Sequence, residues 1–135
     1  MVKYSCDVCG KNYSTLREAE NCENKGLSAE VTPGLLLSHK NVEDGFLVVY
    51  GEVKKEGHER MYFAEEFLVW DSLIATVQTY ALSSSKVGNL ENFILSGDNS
   101  VKRVNELIDN GFRGSSLVKA YMERYGVEKL HNHLS

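Results

Sequence analysis

The chain is short of several things, and each shortage removes a class of function. It holds a single proline, Pro33, among 135 residues, so it has neither a proline-rich linker nor a polyproline recognition segment. Its longest apolar runs, such as Phe46–Tyr50, fall far below the roughly 20 residues that a helix needs to cross a bilayer. The opening residues MVKYSC carry one lysine with no apolar stretch behind it, unlike a secretory leader. A soluble, cytoplasmic protein is the expectation. No repeat or low-complexity tract interrupts the sequence. Glycine-rich phosphate loops, nucleophile elbows and zinc-protease signatures are all missing, so binding is expected rather than catalysis.

Positive charge is also scarce. Net charge is −4, and it is unevenly spread. Residues 1–26 balance four basic against four acidic groups, residues 27–84 set four against nine, and residues 85–135 set seven against six. A protein that grips phosphates by releasing counterions needs a basic surplus somewhere. The acidic middle would instead face water, or steer the protein toward a basic partner surface.

Periodicity divides the remainder into an α+β arrangement. Thr15 followed by Glu18 is a capping-box pattern, predicting a helix from about Leu16 to Lys25 that stops at Gly26. The stretch 27–34, with the proline and Gly34, reads as a linker. Residues 35–82 read as β-rich. Gly45–Val53 and Glu59–Glu65 are strands joined by a hairpin containing Gly57, and Leu35–His39 is a third. Apolar residues occupy both parities of Gly45–Val53, so both faces of that strand should be covered. In Glu65–Leu82, Phe67, Trp70, Ile74, Val77 and Ala81 recur at helical spacing, and a helix is the expectation there. Residues 83–135 read as helical after a loop at Ser83–Lys86. Helices are expected over 99–111, over 115–126 with Ser115 or Ser116 as cap, and in the segments VGNLENFIL and VEKLHNHL.

All three cysteines, Cys6, Cys9 and Cys22, lie in the first 22 residues. An odd, clustered set suits thiolate ligands better than a disulfide framework. Cys6 and Cys9, two residues apart, fit a tight turn that brings both sulfurs to one ion at about 2.3 Å. Gly10 permits the turn, and the following helix would return Cys22 to the same ion. Tyr4, Tyr13, Leu16 and Ala19 would form the small apolar cluster beneath it.

Tyr4-x-Cys6-x-x-Cys9-Gly10-Lys11-x-Tyr13, with twelve residues between Cys9 and Cys22, resembles the first half of a two-cysteine, two-histidine zinc finger. It is similar to the short fingers that head small phage and bacterial proteins. The resemblance covers about a fifth of the chain and implies structural zinc. It departs at the fourth ligand, because Gly26 or Leu27 occupies the place of the family's second histidine. Glu23, adjacent to Cys22, points away around the helix. His58, with His39 as the alternative, would fold back to complete the set. Asp7 or an external water is another route, and three reduced cysteines that simply pack is a third reading.

The helix after the knuckle carries Arg17 but also Glu18 and Glu20, a poor match to base readout in the major groove. The partner expected is therefore another protein, a nuclease or other basic-surfaced one. The role expected is a phage-type regulator or inhibitor of a host defence protein, acting in the host cytoplasm. The competing class is a nucleic-acid-binding regulator using the finger and the C-terminal helices. A metal-dependent hydrolase built on His58, Glu59, Glu65 and Glu66 ranks behind both. The terminal LHNHLS shares letters with a nuclease family but not its residue spacing, and His131 and His133 read as a solvated helix end.

Overall fold

Two sequence periods build the molecule: alternation in its middle and 3.6-residue spacing in its last third. The structure, a computed structural model, describes residues 3–27, 30–71 and 73–134. Positions 28 and 29 of the expected linker and position 72 of the expected helix lie outside the described residues. In chain order the elements are β1 (Tyr4–Ser5), β2 (Asn12–Tyr13), α1 (Leu16–Glu23), β3 (Leu35–His39), β4 (Gly45–Glu56), β5 (Glu59–Trp70) and β6 (Leu73–Ser83). They continue with α2 (Ser84–Val87), β7 (Phe93–Leu95), α3 (Asp98–Asp109) and α4 (Ser115–Arg124). The fold is mixed α+β.

Strand β4 organises the larger part. Phe46, Val48 and Tyr50 point to one face and Leu47 and Val49 to the other, and all five are buried. Such a strand is stable only with cover on both sides. It lies in the middle of a five-stranded sheet of order β6-β5-β4-β3-β7, antiparallel throughout. Helices α3 and α4 cover the first face, laying Val104, Ile108, Val118 and Met122 on Leu36, Phe46, Val48 and Phe67. The second face packs Leu35, Leu47 and Val49 with Val31 and Val87, and Leu90 and Phe93 close over them. Val31, from the stretch expected as a linker, is buried, and its N–H donates to the Tyr62 hydroxyl at 2.8 Å.

Several expected elements differ. Glu65–Leu82 is strand, turn and strand rather than helix, because β5 and β6 pair as a hairpin around Asp71. The helical stripe is not one buried face: Phe67 and Ile74 enter the core, while Trp70 is 66% exposed and Val77 49% exposed. Aromatic and β-branched residues favour strands, and pairing with the doubly covered β4 adds to that preference. VGNLENFIL supplies strand β7, and Ser84–Val87, expected as loop, is a single helical turn. VEKLHNHL is not helical. His131 forms a parallel bridge with Leu35, at the end of β3 that β7 does not reach.

The serine cap expected for α4 is replaced by Gly114, at φ 86°. A Cβ there would meet the Ile74 carbonyl oxygen at 2.2 Å. The Ile74 N–H also donates to the Arg113 carbonyl at 2.7 Å, so the helix start is clamped against β6. Only glycine fits both the dihedral and the approach.

One carboxyl group is fully buried under the helices. Glu65 accepts from the Tyr50 hydroxyl at 2.8 Å and from Thr76 at 3.4 Å. Burial raises its pKa above the ordinary carboxylate value, against the two hydroxyls that favour the anion. The folded state then holds this proton more tightly than the unfolded chain. Stability falls as pH rises from about 4.3 through the raised folded value. Glu65→Gln keeps an acceptor for Tyr50 without a charge. The variant should melt higher than wild type at pH 8, and the gap should close toward pH 4, as calorimetry would show. An unchanged gap across that range would mean that the charge carries no penalty.

Candidate metal centre

The N-terminal unit is assembled from short-range geometry. Strands β1 and β2 pair Tyr4 with Tyr13 and Ser5 with Asn12. The turn between them is closed by Cys6 N–H to Lys11 O at 2.9 Å and Gly10 N–H to Cys6 O at 2.7 Å. Gly10 sits at φ 79°, the left-handed backbone such a turn demands. Thr15 then caps α1 by accepting the Glu18 N–H at 3.2 Å. Ala19 and Cys22 are the buried residues of that helix. Leu16, expected in the small apolar cluster, is 54% exposed. Tyr4 and Tyr13 are half-buried.

Opposite the knuckle stands the tip of the β4–β5 hairpin. Glu56 pairs with Glu59, leaving Gly57 and His58 as a two-residue loop. Gly57 has φ 60°, as the first central position of a type II′ turn requires. The loop brings the imidazole to the sulfurs. The ligand atoms of Cys6, Cys9, Cys22 and His58 all lie within 4.8 Å of one another. His58 Nε2 is 3.1 Å from Cys22 Sγ and 3.9 Å from Cys6 Sγ, and Cys9 Sγ is 3.6 Å from Cys22 Sγ. Metal–ligand bonds of about 2.0–2.3 Å in a tetrahedron imply ligand separations of about 3.4–3.8 Å. The four side chains are compatible with a metal site in both chemistry and spacing.

The surrounding contacts favour the same state. His58 Nδ1 lies 2.6 Å from the Gly26 carbonyl oxygen. That acceptor selects the tautomer with its proton on Nδ1, leaving Nε2 as the lone-pair donor toward the sulfurs. Gly26 is the residue whose positive φ, 61°, ends the turn after α1. The neighbouring Tyr13 hydroxyl lowers the Cys22 pKa below the ordinary thiol value. Reciprocally, the Tyr13 phenol is pushed up to about 12 by the Cys22 sulfur and by its burial. At Cys9 the Lys11 backbone favours the thiolate, but burial and the neighbouring Cys22 and Cys6 outweigh it and raise the pKa. Three negative sulfurs at these separations would repel one another, and a divalent cation among them would remove that repulsion.

Other candidate ligands lie elsewhere. His39 packs edge-on against Phe93 at 5.0 Å between ring centroids, and its Nδ1 accepts the Asn41 N–H at 3.0 Å. Asp7 contributes its backbone N–H to the Glu23 carboxylate at 3.0 Å, so Glu23 braces the knuckle. Glu65 is held by Tyr50 and Thr76, Glu66 accepts from Tyr80 at 2.7 Å, and Glu59 accepts from Ser84 at 3.2 Å. His131 Nε2 lies against the Thr32 and Pro33 carbonyls at 3.2 and 3.0 Å. The Tyr13, Glu23 and Gly26 contacts were not foreseen from sequence. Only the core aromatic position of Tyr13 and the helix-stop position of Gly26 were visible there. No family model, curated protein or solved structure matches the chain.

Replacing the two histidines in turn separates their roles. His58→Ala should lose stoichiometric zinc after dialysis, whereas His39→Ala should retain it, as read by elemental analysis. Equal retention in both would remove His58 from the ligand set.

Proposed function

We propose that the chain is a protein-interaction module whose N-terminal unit is fixed to the central sheet by one structural zinc ion. The observation that carries the reading is the convergence of Cys6, Cys9, Cys22 and His58, from three separate stretches of chain, to within 4.8 Å. Three thiolates and one imidazole are a zinc donor set, and four protein ligands leave no open position for a substrate. The ion would therefore supply folding energy and rigidity rather than chemistry. The residues themselves do the rest. Cys6 and Cys9 come from the knuckle, Cys22 from the last turn of α1, and His58 from the hairpin tip, oriented by Gly26.

The finer reading is a regulator or inhibitor of a host protein. It draws on the resemblance of the first 26 residues to fingers that head small phage and bacterial proteins. A basic-surfaced partner, a nuclease among them, is favoured by the nine acidic against four basic groups of residues 27–84. Nucleic acid as the partner would call for a basic surplus that the charge distribution does not supply. No helix of the described residues is long and apolar enough to cross a membrane.

Removing the ion tests the structural role. Structural zinc contributes about 10 kcal/mol or more in isolated fingers. Cys22→Ala, or a strong chelator on the wild type, should therefore abolish protection of residues 3–27 in hydrogen exchange. The sheet core around Val48 should stay protected. Unchanged exchange in both experiments would mean that the cysteines merely pack. Tight, salt-sensitive retardation of DNA or RNA in a gel would replace the protein partner with a nucleic acid.

A further inference from the structure

Strand β6 is an edge strand, paired on one side by β5 and on the other by no strand among the described residues. Its eleven residues, LIATVQTYALS, include no charge and no proline. Natural sheet edges are commonly protected by lysine, proline, a bulge or covering chain. Here two of these devices act, and both act early in the strand. The Arg113 carbonyl takes the Ile74 N–H, and the register shift between Glu66 and Phe67 leaves Val77 as a bulged residue. Beyond Val77, the stretch from Gln78 to Leu82 runs in regular register against Glu66 to Tyr62. No other backbone hydrogen bond reaches it among the described residues. Gln78, Thr79 and Ala81 are exposed.

The same stretch forms one wall of a cavity of about 250 Å³. The bulge turns Gln78, Tyr80 and Leu82 to the sheet face away from α3 and α4. Tyr80 and Leu82 meet Leu47 of β4 and Leu90 and Phe93 of the covering segment around an open, mainly apolar hollow. Pockets that hold drug-sized molecules measure roughly 300–1,000 Å³, so this one is suited to a single side chain. Its one charged lining residue is Glu91, and neither lysine nor arginine lines it. The Glu66 carboxylate, held by the Tyr80 hydroxyl, stands behind that wall.

We infer that the Gln78–Leu82 edge receives an extended segment of a partner protein. One apolar side chain of that segment enters the adjoining cavity, and basic residues flank it. The inference rests on the interaction-module reading and names the surface and the partner chemistry. Strand addition takes its affinity from backbone hydrogen bonds and its specificity from pockets for alternate side chains. Both components are present in one stretch. Charge decides between occupants. A second copy would bring its own Glu66 and Glu91 against these, whereas a basic segment meets both with opposite sign.

The probe is a displayed library of short random peptides, selected on the full chain purified with zinc. Enriched sequences should carry one large aliphatic or aromatic residue bordered by lysine or arginine. Amide shifts on binding should concentrate in residues 77–83 and 90–93. N-methylation at alternate positions of an enriched peptide should weaken binding about tenfold or more, since it deletes backbone donors. Thr79→Lys, an exposed change that leaves the core intact, should weaken the basic peptides about tenfold, while Thr79→Glu should not. A library with no enrichment, shifts on another face, or indifference to N-methylation overturns the surface. A concentration-dependent dimer mapped to β6 by sedimentation and amide shifts also overturns it, placing a second copy on the edge. Peptides captured on another face leave the interaction-module reading standing, whereas nucleic-acid retardation with no peptide captured removes both.

Discussion

Three sulfur atoms crowded around one imidazole set the terms for the N-terminal half of this molecule. Neutral thiols could pack there as small apolar groups, but the neighbouring Tyr13 hydroxyl lowers the Cys22 pKa. His58 presents Nε2 because Gly26 holds its Nδ1 proton. Each contact arranges a negative or lone-pair donor toward the same small volume. Such an arrangement is costly without a cation and favourable with one. The residues around the cluster are therefore compatible with an ion held among them.

The fourth candidate donor, His58, comes from outside the N-terminal unit, and this changes how that unit is held. A short unit of two tiny strands and a two-turn helix has almost no core of its own: among its described residues Ala19 is the one buried aliphatic. Isolated units of that size depend on metal to fold. Here the donor arrives on a hairpin anchored in a five-stranded sheet, so the ion would join two bodies and stabilise one. The length of β4 follows from the same requirement. Its last four residues, from Val53 to Glu56, are exposed, and they contribute reach to the tip rather than burial to the core.

Sequence carried the local parts of this well. The knuckle spacing, the glycine at its turn, the helix cap at Thr15 and the two-sided apolar pattern of β4 are all short-range signals, and each has a direct physical counterpart. What was hard to read depended on distant partners. Phe67, Trp70, Ile74, Val77 and Ala81 match a helix because a hairpin that turns at Asp71 brings Phe67 and Ile74 to the same face by a different route. Gly114 takes the place of a serine cap because β6 passes within contact of it, which no local pattern encodes. His58 could be ranked over His39 only on the glycine beside it. The decision between them is made by the register of β4 on β5, a property of the folded sheet.

The hairpin also connects the metal cluster to the β6 edge. Glu59, the residue after His58, accepts from Ser84 at the start of α2. β6 ends at Ser83 opposite Met61, three residues beyond His58. Helix α2 contributes Val87 to the second core, beside Leu90 and Phe93 of the cavity wall. The cysteine cluster, the hairpin tip, α2 and the apolar hollow are thus consecutive neighbours. An ion that immobilises His58 would restrain the first of these and, through Glu59 and Ser84, the position of the last. A structural metal at one end of the hairpin would in this way order the β6 edge, which it never touches, and reduce the freedom that a partner's docking there would cost.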